Sequence, residues 1–287
     1  VAKLLIFGAG YTGLAIARAA IAAGMSTQVT SRDPSAVGSA GVPVIAFDAA
    51  ASAIAGATHI VSTAAPTESG DPVLARWGDA LKRSEAVWLG YLSTTGVYGD
   101  RQGGWVDEDT PPAPGAERSR RRLAAELAWV ECAAGRSLDV CRLAGIYGPG
   151  RSAFDDIRAG HARRVIKPGH AFGRIHRDDI AAGVLAAMAR PAHGTRVLNF
   201  SDDEPADSGA VLAEAAALMG VPAPPEVPFA LAWEGMSPMG RSFWAENRRV
   251  ANGKTKAALG IAWIYPSFRD GLRAISRDER CGPNKVP

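Results

Sequence analysis

The chain has 287 residues, 47% of them hydrophobic and 21% charged, the profile of a folded protein with a large core rather than a disordered one. Lys and Arg (32) nearly balance Asp and Glu (29) at a net charge of +3. The excess lies in short clusters (Arg118, Arg120, Arg121, Arg122; Arg163, Arg164), which argues against a nucleic-acid-binding stripe.

Three cysteines without C-x-x-C spacing argue against a zinc site or a disulfide framework and fit a reducing cytoplasm. No apolar stretch approaches the ~18 residues of a membrane span, and residues 1–25 do not read as a signal peptide. The expectation is a cytoplasmic protein with a small-molecule partner, no metal, no nucleic acid and no membrane.

In chain order, Leu4-Leu5-Ile6-Phe7 reads as a strand buried on both faces of a parallel sheet. Gly8-Ala9-Gly10-Tyr11-Thr12-Gly13 follows, then an Ala-rich helix over 14–23 stopped by Gly24, then a strand over 27–30. Further strands are predicted at 43–47, 59–62, 87–92, 138–143 and 196–200. Helices are predicted at 77–83, at 118–134 with Leu123, Leu127 and Val130 inward, at 178–188 and at 211–219. Residues 151–175 show little periodicity, and 221–225 (V-P-A-P-P) read as a stiff connector. Trp233, Phe243, Trp244 and Trp263 should pack together as a small lobe, and the last ten residues should fray.

Repeated strand–helix alternation predicts an α/β, Rossmann-type doubly wound parallel sheet with a small C-terminal substrate lobe. Residues 1–150 with about 176–200 would form the dinucleotide-binding unit, and 151–175 with 201–287 the lobe. In the glycine turn, Gly8 permits the tight bend, Gly10 admits a pyrophosphate, and Gly13 lets the helix pack on the strand. Tyr11 and Thr12 complete the turn. Asp48, Thr63 and Ala64 are further expected cofactor contacts. Thr30-Ser31-Arg32 stands where a ribose-binding carboxylate is usual, so Ser31 and Arg32 favour NADP, while Asp33, one residue later, leaves NAD open.

Ser93-Thr94-Thr95-Gly96-Val97-Tyr98-Gly99-Asp100, Arg142 to Gly150 (R-L-A-G-I-Y-G-P-G), Ile175 to Ala181 (I-H-R-D-D-I-A) and Leu198-Asn199-Phe200 resemble, in order, the motifs of the extended short-chain dehydrogenase/reductases, the NAD-dependent epimerase/dehydratase family. The resemblance runs from residue 4 to about 272. It implies a Rossmann domain with a substrate lobe and a catalytic Ser or Thr, matched by Thr94. It also implies a Y-x-x-x-K pair on the helix that carries Glu126. That register puts Arg118 at the tyrosine and Arg122 at the lysine. An arginine does not release its proton, so Arg118 cannot be the acid or base, whereas Arg122 can still hold the nicotinamide ribose. The glycine turn also departs, as G-x-G-x-x-G in place of G-x-x-G-x-x-G.

Tyr98 and Tyr147 are then the candidate proton donors, with pocket-wall roles as the alternative. His176, Asp178 and Asp179 read as structural, and Arg151 and Arg174 as candidates for a nucleotide diphosphate. Two functions stay open: an atypical oxidoreductase or epimerase on a hydroxyl or carbonyl substrate, nucleotide-sugar-like among the options, or a non-catalytic NADP(H)-sensing protein. The resemblance also implies a homodimer pairing through two long helices, one of them 118–134.

Overall fold

The computed structural model describes residues 2–38 and 41–281. Seven strands form one parallel sheet: β1 (Lys3–Phe7), β2 (Ser26–Ser31), β3 (Val44–Ala46), β4 (His59–Ser62), β5 (Trp88–Thr94), β6 (Leu138–Leu143) and β7 (Thr195–Phe200). Their spatial order is β7-β6-β5-β4-β1-β2-β3. Chain order therefore reverses between β1 and β4, the switch point beside which ligands bind in such sheets.

Alternate side chains of β1 enter two separate cores. Leu4 and Ile6 join Ile16, Val184 and Phe200 on one face. Leu5 and Phe7 join Ile54, Trp77 and Trp129 on the other. Helices α1 (Tyr11–Ala22) and α6 (Arg177–Ala189) cover the first face. The second is covered by α2 (Ala51–Gly56), α3 (Pro72–Arg83) and α4 (Glu117–Ala133). The doubly wound expectation holds.

Several boundaries differ from the sequence reading, each for a local reason. Helix α3 begins at Pro72 because the Asp71 carboxylate caps it, accepting from the N–H groups of Val73 and Leu74. Helix α4 is rotated from the expected face: Ala125, Trp129 and Cys132 are buried, whereas Leu127 (63% exposed) and Val130 face outward. Trp129 decides this, because its ring stacks on Tyr91 and its Nε1 donates to Asp71. Residues 151–175 are not irregular. They hold α5 (Ala153–Arg158), opened by a capping box between Ser152 and Asp155, and short strands at Arg164–Ile166 and Arg174–His176.

The lobe contains α7 (Ser208–Met219), α8 (Phe229–Gly235), α9 (Pro238–Trp244) and α11 (Phe268–Cys281), while α10 (Gly253–Leu259) leads back to the sheet. Tyr147, Phe154, Ala215, Phe268, Leu272 and Ile275 form the lobe's own core. Of the expected lobe aromatics, Trp244 packs on His170 and Phe172 and meets Trp233 through Phe229, whereas Phe243 lies under Arg118. Trp263 packs instead edge-on against Phe200 in the core of the main sheet. Of the last ten residues, 278–281 belong to α11 and are ordered helix, and the expectation for 282–287 lies outside the described residues.

Candidate cofactor and substrate clefts

The glycine turn joins the end of β1 to the start of α1. Gly8 has φ +117°, a conformation that L side chains rarely adopt, and a Cβ there would meet Thr63 Oγ1 at 2.3 Å. A Cβ on Gly13 would lie 2.0 Å from the Gly8 carbonyl oxygen. Gly10 differs, because nothing lies within 4 Å of where its Cβ would stand. No side chain caps α1 at Gly10, so the first-turn N–H groups face that open space. An open, uncapped helix N-terminus at the sheet's switch point fits a dinucleotide pyrophosphate.

Thr63 braces this turn from below, with Oγ1 donating to the Phe7 carbonyl at 3.1 Å. The Tyr11 hydroxyl donates to the Pro149 carbonyl at 3.1 Å, and the Arg177 and Arg151 guanidinium groups lie 4.9 and 5.8 Å from its ring centre. Tyr11 thus ties the turn to the lobe and brings two cations to its rim.

A shallow cleft beside the turn is lined by Ala9, Leu14, Ser31, Arg32, Asp33, Ala36 and Val37. The Ser31 hydroxyl is closed on the Asp33 backbone, donating to its carbonyl at 2.8 Å and accepting from its N–H at 3.1 Å. The Asp33 carboxylate accepts from Ser35 N at 3.0 Å, Ser35 Oγ at 2.5 Å and Ala36 N at 3.3 Å, and the Ser35 hydroxyl bond foremost lowers its pKa. Thr30 is buried in β2. Arg32 is exposed at this rim, and among the described residues its side chain makes no hydrogen bond or ion pair. Asp48 is 82% exposed and paired with Arg76 at 3.4 Å. Arg122 Nη1 donates to the carbonyls of Leu92 (2.8 Å) and Ala64 (3.4 Å), bridging the ends of β5 and β4.

A second, larger cleft of about 760 Å³ opens between the sheet's C-terminal edge and the lobe. Thr94, Arg118, Tyr147, Arg151, Arg174 and Phe243 are among its lining residues. Thr94 Oγ1 accepts from Gly96 N at 3.1 Å. Arg118 lies over the face of Phe243, with 3.7 Å from the guanidinium carbon to the ring centre. Burial lowers the Arg118 pKa, opposed by the Glu246 carboxylate.

Neither candidate tyrosine offers its hydroxyl to this cleft. Tyr98 is fully buried and donates to Asn199 Oδ1 at 2.7 Å. Tyr147 contributes its ring to the wall, but its hydroxyl donates to the Ser267 carbonyl at 3.4 Å and points at Gly271. Burial foremost raises the pKa of both, away from acid–base work near neutrality. Arg174 Nη1 is committed to the carbonyls of Phe172 and Ala206.

The motif residues instead build a buried scaffold under the cleft. Glu126 and Arg142, each 5% exposed, pair at 2.8 Å, and Ser93 donates to the same carboxylate. Arg142 stacks over Tyr98 at 4.8 Å. His176 Nδ1 accepts from Asp178 N, capping α6, and burial lowers its pKa to about 4, so it is neutral. Asp179 accepts from the N–H groups of Ile264 (2.5 Å) and Tyr265 (3.1 Å), fixing the segment before α11. Sequence reasoning placed Phe243 among the lobe aromatics but missed its pairing with Arg118, which lies far away in the chain.

No family model matches the chain. Over 180 residues it is 32% identical to the 3-diazoavenalumate denitrifying reductase of a Streptomyces species, 58% of each protein. Over 104 residues it is 33% identical to Protein YeeZ of Escherichia coli K12, 36% of each. The matches thus span less than two thirds of these curated relatives.

Among solved structures, a functionally unknown conserved protein from Silicibacter pomeroyi is 44% identical with a TM-score of 0.89, covering 97% of this chain and 99% of that one. A candidate NAD-dependent epimerase/dehydratase from Methylobacillus flagellatus is 26% identical at TM-score 0.73, again over 97% and 99%. Two more distant likenesses, both 18% identical, show the fold alone. MoeE5 with UDP-glucuronic acid and NAD has a TM-score of 0.80 (97% and 99%), and human SDR39U1 (isoform 2) with NADPH has 0.76 (96% and 99%). The ordered motifs and the 3-2-1-4-5-6-7 parallel sheet agree with these full-length likenesses, and the chain belongs to the extended short-chain dehydrogenase/reductase family, that of the NAD-dependent epimerases and dehydratases.

Proposed function

We propose that the protein is an NADP(H)-dependent reductase whose reaction does not use a tyrosine acid. One observation carries this reading: Thr94 and Arg118 line the same cleft, while arginines occupy both the tyrosine and lysine positions of the family's catalytic helix. The dinucleotide would lie with its pyrophosphate over Gly10 and its adenosine end in the cleft rimmed by Arg32. When bound, it supplies hydride. Arg122 holds the ends of β4 and β5 together beside Ala64 and presents positive charge there.

Thr94 orients the reacting group. Arg118 keeps its proton and stabilises negative charge electrostatically, so the proton that completes the reduction comes from water. A relative named as a reductase supports this class of reaction. Three free cysteines fit a cytoplasmic setting. The exposed Leu127 and Val130 of α4 fit a homodimer through that helix.

A second reading, NADP(H) sensing without turnover, is favoured by the buried, committed hydroxyls of Tyr98 and Tyr147. Calorimetry with NADPH and NADH, followed by NADPH oxidation across carbonyl, conjugated-acid and diazo compounds, separates the two. Turnover that falls in Thr94→Ala supports the reductase. Tight NADPH binding without turnover favours sensing, and no nucleotide binding overturns both.

A further inference from the structure

Four arginines lie in the first turns of α4, and they are not equivalent. Arg120 and Arg121 pair with Glu117, and Arg122 donates to backbone carbonyls. Arg118 alone of the four has no hydrogen bond or ion pair among the described residues, only its stacking on Phe243. The carboxylate nearest in influence, Glu246, is already committed: Oε2 accepts from Arg248 Nη1 at 2.8 Å and Oε1 from Ala116 N at 3.3 Å.

Stacking engages the face of a guanidinium and leaves its in-plane N–H donors free, a fork that matches a carboxylate. The ring also fixes the orientation of that fork, which reduces the entropy lost when an anion binds. Val211, Leu212, Phe268 and Leu272 give the lining of the same cleft an apolar part. A ligand that satisfies both features is apolar along its body and carries a negative charge at one end.

We infer that the large cleft takes a carboxylate with an apolar body, and that Arg118, held by Phe243, is its anion anchor. The inference rests on reading this cleft as the substrate site. It assigns Arg118 a binding role in place of the acid–base role that a tyrosine would have there.

The test uses trans-cinnamate as probe and cinnamyl alcohol as its uncharged counterpart, titrated calorimetrically into the full chain with and without saturating NADPH. Cinnamate should bind at least about tenfold more tightly than the alcohol, a difference of about 1.4 kcal/mol. Arg118→Ala should remove that preference while leaving the alcohol's affinity in place. Arg118→Lys should retain part of it, because charge remains but the fork is lost, and it serves as the second variant should the alanine protein not fold. Phe243→Leu should weaken cinnamate, and Arg120→Ala should not.

Equal binding of acid and alcohol, unchanged cinnamate affinity in folded Arg118→Ala and Arg118→Lys, or no cinnamate binding by protein that binds NADPH would each overturn the inference. Failure to bind NADPH bears instead on the reductase reading, so the two are read separately.

Discussion

The Tyr98 hydroxyl donates to Asn199 Oδ1 at 2.7 Å, deep in the interior, and so joins the turn after β5 to the end of β7. Asn199 in turn donates through Nδ2 to the Ala251 carbonyl, and its backbone N–H reaches Thr255 Oγ1. This tyrosine holds the sheet edge and the segment leading to α10 in register. We expect Tyr98→Phe to cost about 1–3 kcal/mol, because it orphans a buried carbonyl oxygen. Chemical denaturation should show that loss while nucleotide affinity stays unchanged. A stable Tyr98→Phe protein that has lost turnover would return the residue to catalysis.

The glycines of the turn should separate in their effects. Gly10→Val places a side chain in open space where the pyrophosphate would lie, so melting should be near wild type while calorimetry shows nucleotide binding abolished. Gly13→Ala drives a methyl group into the Gly8 carbonyl, and the damage should appear as lost stability even without nucleotide. Wild-type nucleotide affinity in Gly10→Val would move the cofactor elsewhere.

Cofactor preference should depend on Arg32. Asp33, the alternative ribose ligand, spends its carboxylate on Ser35 and Ala36, and Arg32 stands exposed at the rim of the same cleft. NADPH should therefore bind more tightly than NADH. Arg32→Ala should lose about 1.5–3 kcal/mol toward NADPH, the scale of a charge-assisted hydrogen bond, and little toward NADH. Equal affinities in the wild type would argue that the Ser35 interactions yield to a ribose hydroxyl.

Stability should fall between about pH 6.5 and pH 8 because of Asp202. Its two carboxylate oxygens are buried without partners, and that burial raises its pKa to about 8 despite the Arg174 charge. The folded state keeps a proton that the unfolded chain releases near pH 4, so this group's contribution falls from about pH 4 upward and is fully lost once pH has risen through about 8. Asp179, raised by burial to about 6, acts in the same sense at lower pH. His170 and His176, each lowered by burial to about 4, act oppositely, adding stability as pH rises from about 4 to about 6.5.

Above that window Asp202 dominates among these groups, with an expected loss of about 1.5–2 kcal/mol between about pH 6.5 and pH 8. Urea midpoints across pH should show this slope in the wild type and a flat profile in Asp202→Asn. A slope that persists in the variant would belong to another group.

The architecture and the nucleotide turn were legible in the chain itself. A two-sided buried strand, a glycine that must take φ +117° and a helix that starts directly after it are local requirements, recorded in adjacent residues. Ordered motifs likewise marked the family, and Arg118 and Arg122 were visible as departures from it. The use of those motif residues was not legible. Tyr98 read as a candidate proton donor, Glu126 as the anchor of a catalytic helix, and Ser93 and Arg142 only as motif residues, yet the four form a buried network beneath the cleft.

Direction is what tertiary structure decided. The outward turn of Leu127 and Val130 follows from Trp129 finding Tyr91 and Asp71, and the inward turn of the Tyr147 hydroxyl from Ser267. Arg118 faces the large cleft because α9 brings Phe243 beneath its guanidinium. Periodicity specifies which face of one element is apolar, but not which distant side chain will meet a hydroxyl or a charge. That depends on packing among elements far apart in the chain, and it separates a residue that touches a ligand from one that holds the walls around it.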